Sequence, residues 1–239
     1  MGLIPLQEPT AAVEELRRIV KELGMRGAML PSTGIQSNLG DQRYWPIYEE
    51  ANRLGCAIGV HGGAHENLGL DDLSPYAPVH SLGHPFGQMI SFGGMVFNGV
   101  FDRYPNVKFG FLEGGIAWML VCLGAFRSFL GNSHSARSAQ ALPRASAQGE
   151  SQRIYRAPHR RGTDIRRLRR RRAGHRPCDQ KNRQQALGFS SDYPHEVNNE
   201  FCKHEINEFL ENEEISAADK AAFLHGNARR FYSLGAAGL

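Results

Sequence analysis

Three short apolar runs, each followed by a polar side chain where a strand would end, constrain the fold of this chain most. Cys56–Val60 leads into His61, Val107–Leu112 leads into Glu113, and Ala186–Ser191 leads into Asp192. Short, nearly continuous apolar strands are typical of a parallel sheet covered on both faces. Because the carboxyl ends of parallel strands share one edge, the three polar groups are predicted to lie on the same side of the sheet.

Helical patterns separate these runs. Residues 10–23 and 44–54 have apolar side chains at helical spacing, and a further buried strand is predicted at 27–31 between them. A Gly- and Pro-rich loop is predicted from His61 to about Leu82, followed by a helical stretch through Phe101. Strands that alternate with helices predict an α/β fold, and functional groups on several strand ends favour a (β/α)8 barrel over an open sheet.

The C-terminal part returns to a regular pattern after residue 186. A strand is predicted to end at Asp192, and a helix is predicted near 200–210. Ser216 and Asp219 have the spacing of a capping box that opens a final helix towards Phe231.

Composition limits the class of protein. The chain has 239 residues, of which 41% are hydrophobic and 22% charged, in keeping with a globular fold. No apolar stretch predicts a membrane span or an export signal, and the four cysteines have no Cys-x-x-Cys spacing. We therefore expect a cytoplasmic protein that binds a small-molecule substrate, has no membrane association, and can form a homo-oligomer.

The net charge of +4 comes from one segment. Residues 127–183 hold 15 arginines and one lysine against three acidic residues. Between Gly131 and Gln185 the residue types Leu, Ile, Val, Phe and Met occur only four times, as Leu142, Ile154, Ile165 and Leu168. Four such side chains are too few to form a core-facing surface. The arginine run at 166–172 also fits a basic nucleic-acid-binding protein, but it has no interleaved aromatics, so no specific nucleic acid is expected.

Several motifs in order resemble those of the amidohydrolase-related family, in the branch that includes aminocarboxymuconate semialdehyde decarboxylase. They cover about residues 8–125 and 186–235, and comprise Tyr44-Trp45-Pro46-Ile47-Tyr48-Glu49-Glu50-Ala51, Gly59-Val60-His61-Gly62-Gly63, Gly99-Val100-Phe101-Asp102-Arg103-Tyr104-Pro105, Glu113-Gly114-Gly115, Ser191-Asp192-Tyr193-Pro194-His195-Glu196 and Asn227-Ala228-Arg229-Arg230-Phe231-Tyr232.

The resemblance implies a metal-dependent (β/α)8 TIM-type barrel, of which this chain carries strands 4 to 8. Residues 1–126 would form strands 4–6, and 186–239 would form strand 8 and the C-terminal helices. Residues 127–185 would be disordered or translated in a shifted reading frame, so that strand 7 is disrupted. The first-strand metal pair of the family would be missing, and we expect impaired activity of the chain by itself.

The resemblance also assigns roles to individual residues. His61 and Asp192 match metal ligands, with zinc as the expected divalent ion, and Asp192 and Glu113 are the catalytic candidates. Family decarboxylases place a histidine at the position of Glu113, so a metal-dependent hydrolase is the first functional prediction. The alternatives are a metal-dependent decarboxylase (a lyase) of the same family, and a noncatalytic relic or basic nucleic-acid-binding protein.

Each of these residues also has a purely structural interpretation. His61 could be a core histidine bonded to a carbonyl, Asp192 could cap a turn, and Glu113 could interact with the dipole of the next helix. His84, His80 and His195 are predicted to contact substrate or to support the metal ligands. For these three histidines the alternative is a solvent-facing loop position.

Overall fold

The computed structural model describes residues 1–131, 187–193, 195 and 197–235. These residues belong to two compact units, Met1–Ala173 and Gly174–Leu239, and each unit is described by itself. Apart from the end of one helix, the arginine-rich segment and the predicted strand 7 lie outside the described residues. The reading-frame hypothesis therefore remains a prediction.

The first unit is built on a parallel sheet, which confirms the predicted α/β class. Its strands are β1 (Gly2–Leu3), β2 (Gly27–Pro31), β3 (Ala57–His61) and β4 (Lys108–Phe111), hydrogen-bonded in the order β1-β2-β3-β4. Pro31 pairs with His61, and Val60 pairs with Phe111, so β2, β3 and β4 end at the same edge. The short strand β1, which the sequence pattern did not predict, pairs in parallel with β2.

Among the described residues of the first unit, five α-helices accompany the sheet. They are α1 (Pro9–Lys21), α2 (Trp45–Leu54, preceded by a 3-10 turn at Gln42–Tyr44), α3 (Tyr76–Phe97), α4 (Val100–Arg103) and α5 (Ala117–Gly131). Gly55, with φ of 63°, ends α2 in the left-handed conformation that glycine adopts without steric cost. The predicted bounds of α1 and α2 are thus close to those observed.

The core lies between the sheet and the first two helices. Leu16 and Ile19 of α1, Ile47 and Tyr48 of α2, and the inward side chains of β2 and β3 are all almost completely buried. Burial of such a side chain contributes about 1.5–3 kcal/mol relative to its exposure. This packing fixes the strands whose ends carry the polar groups.

The third helix begins earlier than the sequence predicts. The Gly- and Pro-rich stretch from His61 to about Leu82 was predicted to be a loop, but α3 starts at Tyr76 and contains Pro85. The residues on its buried side include Gly83, Gly87, Gln88, Ser91, Phe92 and Met95. Tertiary packing of this side overrides the local preference of Pro and Gly, and it places His80 and His84 on a helix.

The second unit is mainly helical. It contains α6 (Asn199–Glu211), α7 (Ala217–Ala221), a π-helical turn (Ala222–Gly226) and α8 (Asn227–Phe231). The Ser216 hydroxyl accepts a hydrogen bond from the Asp219 amide at 3.2 Å, as the capping box predicts. Residues 187–192 form no strand, which corrects the prediction of a strand ending at Asp192. The Phe189 amide instead donates to the Phe223 carbonyl at 3.2 Å.

Among the described helices, none combines the length and the apolar character that crossing a bilayer requires.

Candidate metal centre

The carboxyl ends of β3 and β4 bring His61 and Glu113 into direct contact. His61 is the last residue of β3, and Glu113 follows β4 by two residues. The His61 Nε2 lies 2.9 Å from Glu113 Oε1. The sequence prediction that these two groups share one edge is therefore confirmed.

The other nitrogen of His61 indicates how its imidazole is protonated. Nδ1 lies 3.0 Å from the Gly62 carbonyl, and a carbonyl oxygen only accepts hydrogen bonds, so Nδ1 carries a proton. In the neutral imidazole, Nε2 then presents a lone pair towards the Glu113 carboxylate. Two such acceptors at 2.9 Å repel each other unless a proton or a cation lies between them.

Glu113 has an unusual backbone conformation. Its φ is 64°, in the left-handed region that side-chain-bearing residues other than Asn and Asp rarely adopt. This conformation costs about 1–2 kcal/mol in an L-residue. Such strain concentrates at functional sites, where the surrounding structure holds it in place.

Helix α3 contributes a third group, His84. Its Nε2 lies 3.4 Å from Glu113 Oε2, so the carboxylate contacts both imidazoles. The 3.4 Å distance is within ion-pair range, but the buried Nε2 makes no hydrogen bond to the described residues. Burial lowers the pKa of His84; the Glu113 charge opposes this shift, and the neighbouring histidines add to it. His84 is therefore held in the neutral form that binds metals.

Two further histidines surround His84. The His65 ring lies 5.2 Å from the His84 ring, and its own Nε2 is buried and has no hydrogen-bond partner in the described part of the chain. The exposed His80 ring lies 6.3 Å from that of His84, and its Nδ1 lies 3.1 Å from the Tyr76 hydroxyl. His65 was not singled out in the sequence, although its spacing of four from His61, just after a predicted strand, is a usable signal.

Asp192 and His195 belong to the second unit. The His195 amide donates to the Asp192 carbonyl at 3.0 Å, and Asp192 has a φ of 59°, which aspartate tolerates better than most residues. This turn is formed by backbone groups, so it does not decide between the metal role and the turn-capping role of the Asp192 carboxylate. The metal role of Asp192 and the substrate role of His195 stay predictions.

The residues of the first unit fit a divalent metal ion. One potential ligand atom from each of His61, His84 and Glu113 lies within 4.8 Å of the other two, close to the about 4 Å that two metal–ligand bonds span. The buried Nε2 of His84 has no hydrogen bond to the described residues, and His61 Nε2 and Glu113 Oε1 face each other. A bound cation would accept lone pairs from all three groups. Two imidazoles and one carboxylate form a known ligand set of catalytic zinc.

Comparison with protein families gives an independent result. A family model described as amidohydrolase matches residues 2–149, more than half of the chain. The cluster of His61, His84 and Glu113 lies within the matched region.

Two curated proteins are similar to part of the chain. A 2-amino-3-carboxymuconate-6-semialdehyde decarboxylase from Dictyostelium discoideum is 36% identical over 115 residues, covering 48% of this chain and 32% of that protein. A gamma-resorcylate decarboxylase from Rhodococcus jostii is 31% identical over 140 residues, covering 49% of this chain and 40% of that protein. The chain thus matches about a third to two fifths of these relatives' lengths.

Solved structures show the same fold. An amidohydrolase from Mycobacterium avium subsp. paratuberculosis has a TM-score of 0.70 at 17% identity, covering 96% of this chain and 57% of that one. A dihydroxybenzoic acid decarboxylase from Polaromonas sp. JS666, solved with bound manganese, has a TM-score of 0.57 at 17% identity, covering 97% and 68%. These likenesses show the TIM-barrel fold of such enzymes, to which the four parallel strands of the first unit correspond.

Proposed function

The chain belongs to the amidohydrolase family. We propose that it acts as a metal-dependent decarboxylase of a small aromatic or conjugated carboxylic acid. The observation that carries this proposal is the convergence within 4.8 Å of His61 and Glu113, at the ends of two adjacent strands, with His84 of α3. The two curated relatives, both decarboxylases of conjugated acids, support the decarboxylase alternative over the hydrolase predicted first.

In this proposal each residue has a distinct task. His61 and His84 would hold the metal through Nε2, and Glu113 would hold it through one carboxylate oxygen. A bound divalent ion, zinc or manganese, would supply Lewis-acid stabilisation of the negative charge that remains on the conjugated substrate when its carboxylate leaves as carbon dioxide.

The remaining requirement is a proton. When the carbon–carbon bond breaks, its electron pair stays on the substrate carbon and carbon dioxide leaves, so that carbon must take up a proton. Glu113 is the proposed carrier, because its carboxylate contacts both imidazoles and its side chain is 34% exposed, within reach of a bound substrate. A positioned acid of this kind typically contributes about 10²–10⁴-fold to a rate.

A hydrolase is the second candidate, and the carboxylate at position 113 favours it. Family decarboxylases place a histidine there, whereas a carboxylate next to a metal site suits the removal of a proton from an attacking water. In that reaction Glu113 would accept a proton from water before it donated one to the leaving group.

Carboxyl-labelled substrate distinguishes the two reactions. The full chain, supplied with Mn²⁺ or Zn²⁺, is incubated with 2,6-dihydroxybenzoate carrying ¹³C in the carboxyl group, and the headspace is analysed for ¹³CO₂. Metal-dependent release that is lost in Glu113→Gln supports the decarboxylase. Metal-dependent turnover of an ester or amide panel without ¹³CO₂ release would instead favour the hydrolase.

A further inference from the structure

Gln88 of α3 is fully buried and bonds to the ends of two strands at once. Its Nε2 donates to the Val60 carbonyl at 3.0 Å and to the Leu112 carbonyl at 2.8 Å. These are the residues immediately before His61 and Glu113. One side-chain amide thus joins the two backbone positions from which the contacting imidazole and carboxylate project.

The orientation of the amide follows from its partners. A carbonyl oxygen only accepts hydrogen bonds, so the NH₂ group must face both carbonyls, and both of its hydrogens are used. The Gln88 Oε1 is then buried without a hydrogen-bond partner among the described residues. An unsatisfied buried acceptor costs about 1–3 kcal/mol, so a glutamine here is a poor choice for stability alone.

The same face of α3 reaches both sides of the cluster. His84 lies one turn before Gln88, and a Cβ placed on Gly62, the residue after His61, would be 2.4 Å from the His84 Nε2. A Cβ on Gly114, the residue after Glu113, would be 3.0 Å from the Gln88 Cγ. Side chains of α3 therefore contact the residues immediately before and after both His61 and Glu113.

We propose that Gln88 is a positioning residue for the metal centre, one that sets the separation of His61 and Glu113 by holding the ends of β3 and β4 together. This inference rests on the proposed metal-binding function. Gln88 touches neither metal nor substrate, and acts through the backbone of the two residues that do.

Ser91 provides a matched control on the same helix. It is also fully buried, lies almost one turn after Gln88, and donates through Oγ to the Ser32 carbonyl at 2.5 Å, just beyond the end of β2. None of the three clustered side chains projects from β2. Loss of the Ser91 bond therefore disturbs a comparable helix-to-strand contact without loosening β3 from β4.

The test compares Gln88→Met, which keeps the volume and removes both donors, with Ser91→Ala in the full chain. Affinity for Mn²⁺ and Zn²⁺ is measured by calorimetry, and amide hydrogen exchange is followed in peptides spanning 57–63 and 108–115. We expect Gln88→Met to weaken metal binding about 10–100-fold, the usual effect of a residue that orients a ligand, and to speed exchange in both peptides. Ser91→Ala should leave metal affinity within twofold of the original.

Equal metal affinity in Gln88→Met and the unmodified chain, or an equal loss in Ser91→Ala, overturns the inference. If Gln88→Met does not fold, Gln88→Asn makes the same comparison, because its amide is one methylene too short to reach both carbonyls. An unmodified chain that binds no metal contradicts the proposed function instead, and the exchange pattern then decides the role of Gln88 by itself.

Discussion

His61 Nε2 and Glu113 Oε1 lie 2.9 Å apart at the ends of two adjacent parallel strands. Since Nδ1 of the same imidazole faces the Gly62 carbonyl, the close approach places two acceptors against each other in the neutral tautomer. A proton on Nε2 would turn the contact into an ion pair. A divalent ion held by both groups and by His84 would remove the repulsion without that proton.

Replacement of Glu113 should separate stability from metal binding. Glu113→Gly and Glu113→Ala both remove the carboxylate, so both should lower metal affinity at least about tenfold. Only glycine relieves the φ of 64°, so Glu113→Gly should be about 1 kcal/mol more stable than Glu113→Ala. Urea denaturation gives the stability difference. Equal stability of the two variants would mean that the backbone there is not strained.

The contact of Gly62 with His84 predicts a steric effect at the site. A methyl group on Gly62 would lie 2.4 Å from the His84 Nε2, so Gly62→Ala must displace that ring. We expect at least about a tenfold loss of metal affinity, with the helical circular dichroism retained. Gly124→Ala is the control, because a Cβ at that helical position meets nothing within 4 Å. It should bind metal normally and be about 0.5–1 kcal/mol more stable.

Much of the site was predictable from single strands. His61 and Glu113 end short apolar runs, and the rule that parallel strands end together places them near each other. His84 lies just after the predicted loop, which ends at about Leu82, and its contact with Glu113 was not predicted. Its inclusion in the cluster depends on packing of α3 against β2 and β3, for example Gly87 against Ser32, which no local pattern encodes. Asp192 illustrates the opposite case, since a strand needs a pairing partner and residues 187–192 have none among the described residues.

The hydrogen bond of the Tyr48 hydroxyl is expected to contribute measurably to stability. It is buried and donates to the Leu39 carbonyl at 2.6 Å, so Tyr48→Phe leaves that carbonyl without this donor. The expected loss is about 1–2 kcal/mol in urea denaturation. Tyr44 is equally buried, but the bond that its hydroxyl accepts from the Ser37 amide is 3.4 Å long. Tyr44→Phe should therefore cost less, and a larger cost at Tyr44 would contradict this ranking.

The ion pairs of Glu50 are expected to make the free energy of unfolding depend on pH. Hydrogen bonds from Arg53 and Arg17 lower the pKa of Glu50 from 4.5 to about 2. The folded pKa lies below the unfolded one, so the stabilisation is complete above about pH 5 and is lost as pH falls from 4.5 towards 2. The shift corresponds to at most about 3 kcal/mol, and the half-exposed arginines reduce this to about 1–2 kcal/mol.

The measurement for this prediction is urea denaturation between pH 2.5 and 7. Glu50→Gln should be less stable at neutral pH and should show a smaller decline on acidification than the unmodified chain. Parallel pH profiles for the two proteins would show that Glu50 does not contribute in this way.

Metal content tests the central claim most directly. The full chain and the variants His61→Gln, His84→Gln and Glu113→Gln are dialysed to equilibrium against Mn²⁺ or Zn²⁺, and bound metal is measured by atomic emission. We predict close to one ion per unmodified chain, at least about tenfold weaker binding in each variant, and unchanged binding in Glu66→Gln, an exposed loop control. An unmodified chain without stoichiometric metal, or variants that all retain it, would contradict a metal centre at His61, His84 and Glu113.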